Sequence, residues 1–190
     1  MEYSPFPSPD TARTSPQDDA LQQQAASLAR CQDNLRAILA NSPDAQQYTV
    51  EQLLTAELSG DAFCHIRHWA GGVCACSLAL QSLAPSGTTQ PSPLLLGAIE
   101  RAFGSLTGLC RTLQNAAPGS TGFVWLSSDR EGQLQVNRTF QYATPLPLTP
   151  LLALPASLFP SPGICERLNF STASRRYAAV LAQRSPNLYL

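Results

Sequence analysis

The chain reads Gly119-Ser120-Thr121-Gly122-Phe123-Val124-Trp125-Leu126 at the start of its most strand-like segment. A polar connection that contains Gly132 follows, and Gln133 to Asn137 then alternates polar with apolar residues. An aromatic and β-branched run, a glycine-containing turn and an alternating run are typical of a β-hairpin. Further on, Leu151 to Leu154 is short, apolar and bounded by proline on both sides, which predicts a third and more buried strand.

The rest of the chain shows helical periodicity. The predicted helices cover Asp18–Leu39, capped by Ser15 or Asp18; Thr49–Leu58; Gly60–Leu83; Leu94–Asn115; and Asn169–Gln183, capped by Ser171 or Thr172. Thr49 with Gln52 three residues on is a capping box, and Gly71-Gly72 is predicted to break the third helix. A Ser/Thr/Gly/Pro-rich stretch, residues 86–93, is the predicted boundary between domains at 18–85 and 94–190.

Length and composition limit the possible functions. With 190 residues the chain can form one medium domain or two small ones and bury its own core. Its net charge is −1 and only 13% of its residues are charged, against about 25% in ordinary soluble domains, which indicates a surface partly covered by partners. Arg175-Arg176 is the only adjacent basic pair, so a dominant nucleic-acid role is disfavoured.

The apolar runs and the N-terminal sequence indicate whether the protein is inserted in a membrane or sent to a cell compartment. No apolar run approaches the roughly 20 residues that span a bilayer, so no transmembrane segment is predicted. The N-terminus has neither a secretory signal pattern nor the arginines of a mitochondrial presequence. Residues 1–17, with prolines among serine, threonine and aspartate, predict an extended arm. Such an arm either lies on a neighbouring protein or is a disordered tail, and the sequence leaves both open.

The cysteines do not form a recognisable metal motif. They are Cys31, Cys64, Cys74, Cys76, Cys110 and Cys165. None forms a CxxC pair, and the CxC of Cys74 and Cys76 is too isolated for a zinc site. Free, buried or partly buried thiols in a reducing compartment are therefore expected.

Two histidines, His65 and His68, are the only imidazoles in the chain. Because they are three residues apart on a predicted helix, they share a face and could form a two-histidine clip. No carboxylate or third ligand belongs to the same motif, so capping or interface residues are favoured. Cys64 next to His65 is a poor nucleophile pair, since adjacent residues point to different helix faces.

In order along the chain, these segments resemble the iron/manganese superoxide dismutases. The landmarks are Asp33-Asn34-Leu35, Ala70-Gly71, Leu83-Ala84-Pro85, Phe103-Gly104-Ser105, Gly122-Phe123-Val124-Trp125-Leu126 and Thr149-Pro150-Leu151-Leu152. The resemblance covers roughly residues 18–159. It implies an α+β fold, in which an N-terminal helical hairpin precedes a C-terminal three-stranded antiparallel sheet with helices.

The resemblance also implies where the family's metal would be held. Carried over residue by residue, its three histidines and one aspartate fall on Gln23, Cys76, Pro155 and Phe159. Proline and phenylalanine have no donor atom, and one thiol does not hold a redox metal. No catalytic residue, metal site or cofactor is therefore expected, and the protein is predicted not to be an enzyme.

Further positions of the family's site differ as well. The position of its outer-sphere tyrosine falls on Cys31, and the glutamine-bearing position of its iron enzymes falls on Gly72. Past the last ligand, the helix that builds part of the family's dimer interface is replaced by Pro160-Ser161-Pro162-Gly163, which cannot continue a helix.

The expected function is that of a catalytically inactive, dismutase-like accessory subunit of a large mitochondrial complex on the matrix side. Metal-free relatives of the family are known among small-subunit proteins of mitochondrial ribosomes, and a respiratory-chain complex fits equally well. The expected partners are the other subunits of such a complex, including a second dismutase-like chain that completes a dimer. The alternative is an active superoxide dismutase, or another metalloenzyme, with relocated ligands.

Overall fold

The computed structural model describes residues 16–57, 62–83, 89–159 and 163–184. The helices are α1 (Pro16–Ala40), α2 (Val50–Thr55), α3 (Ala62–Ser82), α4 (Pro93–Phe103), α5 (Leu106–Ala116) and α6 (Phe170–Arg184), and the strands are β1 (Phe123–Ser128), β2 (Leu134–Arg138) and β3 (Thr149–Pro155). Short 3-10 turns cover Pro43–Ala45, Ala156–Leu158 and Ile164–Arg167. The predicted α+β class is confirmed. The predicted arm lies outside the described residues, except for its last two, which begin α1.

The three strands form one antiparallel sheet in the order β2-β1-β3. This confirms the predicted hairpin and the predicted third strand, which adds to the free edge of β1. Every residue of β1 is buried, because helices cover both faces of the sheet. Phe123 and Trp125 pack in one cluster with α1 and α3, whereas Val124 and Leu126 pack in another with α4, α5 and α6. Because successive side chains of a strand point to opposite faces of the sheet, one face of β1 packs against the N-terminal helices and the other against the C-terminal helices.

Helix α3 is not broken, which corrects the prediction made from Gly71-Gly72. It runs without interruption from Ala62 to Ser82. A Cβ at Gly71 would overlap the backbone carbonyl oxygen of Tyr142, and a Cβ at Gly72 would lie 2.6 Å from the Sγ atom of Cys31. The glycines therefore make room for other parts of the chain to contact the helix, and they do not interrupt its hydrogen bonds.

Helix ends account for the other differences from prediction. The single helix expected over Leu94–Asn115 is two helices, because Gly104 adopts a left-handed φ of 77° and Ser105 then caps α5. The Thr49–Gln52 capping box is confirmed, although α2 ends at Thr55.

The cap of the last helix differs too. It is Asn169, whose Oδ1 accepts a hydrogen bond from the Ser171 backbone N–H at 3.0 Å, and so the expected caps Ser171 and Thr172 are wrong. The caps expected for α1 lie outside the described side chains. Among the described residues, no helix combines the length and the apolar character that crossing a bilayer requires.

Ser82 joins the helical hairpin to the sheet. Its buried hydroxyl donates to the carbonyl oxygen of Leu78 at 2.7 Å and accepts from the backbone N–H of Ala153 in β3 at 3.0 Å. We expect Ser82→Ala to lower the free energy of unfolding by about 1–2 kcal/mol, because the Ala153 N–H would lose its partner inside the core. Urea denaturation followed by circular dichroism measures this loss.

The matched control is Ser77→Ala on the same helix. Its hydroxyl is half-buried and accepts a hydrogen bond only from the exposed Gln81 side chain, at 3.3 Å. We expect this change to stay within about 0.5 kcal/mol of the wild type. Equal losses in the two variants would contradict a special role of Ser82.

Candidate functional site

A cleft of about 480 Å³ lies between the helical hairpin and the sheet. Residues from α1, α3, the start of β1, the loop after β2 and the end of β3 line it. They are Gln24, Ser27, Arg30, His68, Trp69, Cys76, Thr121, Gly122, Phe123, Gln141, Tyr142, Pro155 and Ser157. The packing of α1 on α3, and of both on β1, fixes the relative positions of these side chains.

Two cysteines form a buried polar pair beside the cleft, and one of them, Cys76, lines it. Cys31 on α1 and Cys76 on α3 are both fully buried, and the Cys76 thiol donates a hydrogen bond to the sulfur of Cys31. The hydroxyl of Tyr142 donates a second hydrogen bond to Cys31 and accepts one from the Arg30 guanidinium at 3.4 Å. A continuous chain of hydrogen bonds therefore runs from the exposed Arg30 to the buried Cys76.

This network shifts the ionisation of both thiols. The hydrogen bond from Cys76 lowers the pKa of Cys31 to about 7, helped by Tyr142 and the positive charge of Arg30 and opposed by burial. The same contact raises the pKa of Cys76, and its burial acts in the same direction. Burial is the largest cause that raises the pKa of Tyr142, followed by its hydrogen bond to Cys31. Cys31 is therefore the first group of the network to become anionic.

Aromatic rings close the cleft on the side of α3. The ring of His68 packs edge-on against Trp69, with centroids 4.9 Å apart, and against Tyr142, with centroids 5.2 Å apart. His65 and Cys64 are exposed, and neither lines the cleft. The structure therefore brings only one of the two histidines to the site.

One polar atom at the cleft has no partner. The side chain of Gln24 is only 9% exposed, and its Oε1 atom is buried without a hydrogen bond. Buried acceptors without a partner are uncommon in folded proteins and cost free energy.

The family profile described as iron/manganese superoxide dismutases, C-terminal domain, matches residues 91–156. Over this segment the chain is therefore similar to the C-terminal domain of the iron/manganese superoxide dismutases. Two proteins from Leptolyngbya boryana are similar to the chain. "Superoxide dismutase [Mn] 3" is 30% identical over 119 residues, which are 60% of this chain and 49% of the relative. "Superoxide dismutase [Mn] 1" is 27% identical over 122 residues, which are 62% of this chain and 49% of the relative. The chain therefore spans about half the length of the curated relatives it matches.

Of the four residues onto which the resemblance carries the metal positions of the dismutases, two line the cleft and two do not. Cys76 and Pro155 line the cleft. Gln23, however, is exposed, and its neighbour Gln24 lines the cleft instead, because one residue turns a helix by about 100°. Phe159 is half-buried and lines a neighbouring depression beside Gln114 and Ala117. Gln23 and Phe159 therefore do not line the cleft that Cys76 and Pro155 line.

The side chains of the cleft do not fit an iron or manganese ion. Among its lining residues the possible donors are thiol, amide, hydroxyl and phenol groups and the single imidazole of His68, with no carboxylate. Within the described ranges, no three residues among histidine, cysteine, aspartate and glutamate lie close enough together to hold a metal ion. Iron and manganese in dismutases depend on nitrogen and carboxylate ligands, which this donor set does not supply.

A second pair of cysteines lies away from the cleft. Cys110 on α5 and Cys165 in the last 3-10 turn are half-exposed and hydrogen-bonded to each other. The bond from Cys165 lowers the pKa of Cys110 and raises that of Cys165. Sequence spacing could not identify either pair, since 44 residues separate Cys31 from Cys76 in sequence (76 − 31 − 1) and 54 separate Cys110 from Cys165 (165 − 110 − 1).

The sequence pattern does not identify most residues of the cleft, among them Gln24, Arg30 and Tyr142. Tyr142 lies in the loop between β2 and β3, where no periodic pattern predicts which way a side chain points. One signal for Tyr142 was present in the sequence. Glycines inside a helical pattern, such as Gly71-Gly72, indicate either a helix break or a place where another segment comes close to the helix, and here that segment contains Tyr142.

Tyr142→Phe tests the electrostatics of the network. We expect the pKa of Cys31 to rise from about 7 toward the value of about 8.5 that is typical of a free cysteine, because the phenol no longer donates to the thiolate. The alkylation rate of Cys31, followed by peptide mass spectrometry across pH, would then have its midpoint at higher pH. Tyr48→Phe, at a tyrosine outside the cleft, is the control and should leave the midpoint in place. An unchanged midpoint in Tyr142→Phe would contradict the assigned hydrogen bond.

Proposed function

We propose that this chain is a non-enzymatic member of the dismutase family that acts as an accessory subunit of a large mitochondrial assembly. Its role would be structural, through protein contacts on the matrix side, as one half of a dimer with a second dismutase-like chain. A respiratory-chain complex and the small subunit of the mitochondrial ribosome are the candidate assemblies. The low charge favours the respiratory complex, or a ribosomal site that contacts protein and not RNA.

The chemistry of the cleft carries this proposal. A dismutase needs a metal that cycles between two oxidation states, held by ligands that set its potential. Here the four family positions carry Gln23, Cys76, Pro155 and Phe159, and only two of them line the cleft. A fold whose core is apolar can persist after its ligands are replaced, and its surface is then free to serve another purpose.

An apolar surface next to the cleft supports a role in protein contact. Phe140 and Leu146, in the loop between β2 and β3, are 70% and 42% exposed. They line one shallow depression together with Leu54 and Pro147. Large exposed apolar side chains grouped in this way are typical of a surface that another protein covers.

Purification from the source organism tests the proposal directly. A tagged copy of the chain is expected to migrate with a large mitochondrial assembly and to co-purify with its subunits, among them a second dismutase-like chain. Protease treatment of intact and opened mitochondria would place the chain on the matrix side. Recovery of the chain only as a free monomer or homodimer would overturn the proposal.

Charge substitutions test which surface makes the contact. Phe140→Asp combined with Leu146→Asp is expected to abolish incorporation into the assembly while leaving the circular dichroism spectrum unchanged. Leu94→Asp, at a side chain that is 60% exposed on α4, is the matched control and should be incorporated normally. Normal incorporation of the double variant would show that this surface is not the interface.

The names of the relatives favour one alternative, an active dismutase or another metalloenzyme with relocated ligands. Both relatives are named manganese superoxide dismutases. Elemental analysis of the purified chain separates the two functions, because an active enzyme would contain iron or manganese near one equivalent per chain. We expect only traces of either metal and no dismutase activity above that of the buffer.

A further inference from the structure

The two buried cysteines of the cleft have no part in the proposed function. Cys31 and Cys76 lie on different helices, and their thiols are hydrogen-bonded to each other. Gly72, one turn before Cys76, leaves space for the sulfur of Cys31 directly against α3. The packing of α1 on α3 therefore holds the two thiols in hydrogen-bonding contact, close enough for a disulfide to be considered.

The surroundings of this pair resemble a binding site for a small polar molecule. Cys76 lines the cleft, and so does Gln24, whose Oε1 atom is buried without a hydrogen-bond partner. Tyr142 donates to Cys31 from the loop, and the Arg30 guanidinium contributes positive charge from α1. His68 is the remaining titratable residue that faces this network, through its contact with Tyr142.

We propose that Cys31 and Cys76 are a redox site that reacts with hydrogen peroxide and closes to an intramolecular disulfide. The Cys31 thiolate attacks one peroxide oxygen, so that an S–O bond forms and the O–O bond breaks. The hydroxide that leaves takes a proton from solvent and becomes water. The product on Cys31 is a sulfenic acid.

Cys76 completes the reaction. Its sulfur attacks the sulfenic sulfur of Cys31, so that an S–S bond forms and the S–O bond breaks. The hydroxyl group leaves with the thiol proton of Cys76 as a second water. Together the two sulfurs lose two electrons, which the peroxide gains. A dithiol reductant restores the starting thiols.

The environments of the two thiols assign these roles. Cys31 accepts hydrogen bonds and lies near a positive charge, and its pKa of about 7 makes the thiolate available at neutral pH. The hydrogen bond to Cys31 and burial raise the pKa of Cys76. Tyr142 donates its hydrogen bond to Cys31, so Cys31 is the sulfur that the surroundings hold as a thiolate. The reverse assignment would require the group that is harder to ionise to attack first.

Burial selects the oxidant. Neither sulfur is exposed. Cys76 lines the cleft of about 480 Å³, and Cys31, which does not line it, is hydrogen-bonded to Cys76 and to the lining residue Tyr142, so only a small molecule in the cleft could reach the pair. Hydrogen peroxide is little larger than water, whereas a glutathione disulfide is a bulky peptide that would have to displace the packed side chains. This site does not depend on the proposed function, since a subunit of any assembly could carry it.

The test treats the reduced full-length chain with one equivalent of hydrogen peroxide at pH 7, blocks the remaining thiols with N-ethylmaleimide and maps the peptides by mass spectrometry. We expect a disulfide between Cys31 and Cys76. The exposed Cys64 is an internal comparison, and Cys31 should react about tenfold faster, because hydrogen bonds from Cys76 and Tyr142 stabilise its thiolate. Oxidised glutathione should leave Cys31 unmodified.

Substitutions separate the two steps. In C76S we expect a sulfenic acid on Cys31 that dimedone traps, because no thiol remains to resolve it. In C31S we expect no adduct on Cys76. C64S is the matched control and should form the disulfide as the wild type does. Circular dichroism checks that each variant folds, and peptide mapping of the wild type decides the question even if one does not.

Three outcomes would overturn the proposal. In the first, Cys64 is oxidised while Cys31 and Cys76 stay reduced. In the second, peroxide links only Cys110 to Cys165, which would make the half-exposed pair the redox site. In the third, oxidised glutathione modifies Cys31 as readily as hydrogen peroxide does, which would show that the cleft does not select by size. None of these outcomes depends on whether the chain belongs to a mitochondrial assembly.

Discussion

Trp125→Ala is expected to lower the free energy of unfolding by about 3–5 kcal/mol, the range typical of deleting a large buried aromatic side chain. Trp125 lies in the central strand, is 1% exposed, and packs with Phe123 at a ring-centroid distance of 5.7 Å. Its Nε1–H donates to the hydroxyl of Thr139 at 2.8 Å. Domains of this size are stable by roughly 5–15 kcal/mol, so the variant should be marginally folded.

Urea denaturation measures this loss, and two further variants establish its cause. Trp125→Phe retains most of the apolar volume but loses the N–H donor, so we expect a smaller loss of about 1–2 kcal/mol. Phe140→Ala removes an aromatic ring that is 70% exposed and should change the free energy by no more than about 0.5 kcal/mol. A Trp125→Ala loss as small as that of Phe140→Ala would mean that this face of the sheet is not part of the core.

The same strand shows which parts of the fold the sequence predicts. Phe123 to Leu126 is aromatic and β-branched, and Gln133 to Asn137 alternates, and these patterns reflect burial on a pleated sheet. The Thr49–Gln52 capping box was also predictable, because both of its hydrogen bonds are made within four residues. Local hydrogen bonds and periodic burial depend on residues that are close together in the sequence, so the sequence alone is enough to predict them.

Long-range contacts account for what the sequence did not predict. Gly71-Gly72 read alone suggests a helix break, and only the position of Tyr142 and Cys31 explains why the helix continues. The cleft contains Gln24 and not Gln23 for a similar reason. Neighbouring residues of a helix point in directions about 100° apart, and a match by sequence position does not say which of the two side chains faces the cleft. Thiol pairs between distant helices leave no pattern in sequence spacing.

Gly71→Ala is expected to lower the free energy of unfolding by about 3 kcal/mol, although alanine is the better helix former by about 1 kcal/mol. The new Cβ would overlap the backbone carbonyl oxygen of Tyr142. Because a backbone atom cannot rotate away as a side-chain end can, the loop must move off α3. The hydroxyl of Tyr142 would then leave Cys31, so the pKa of Cys31 should rise above about 7 in the same variant. Urea denaturation and the pH dependence of Cys31 alkylation measure the two effects.

Gly97→Ala is the matched control, since it makes the same change inside α4. There a Cβ would meet nothing nearer than the flexible Nη1 of Arg101, at 3.5 Å. With no overlap, only helix propensity and chain entropy remain, and we expect a gain of about 0.5–1 kcal/mol. Opposite signs in the two variants would establish that contact with the loop, and not glycine flexibility, fixes the residue at position 71. If both variants gain stability, the loop does not pack on α3 and Tyr142 cannot hold Cys31 in the way described.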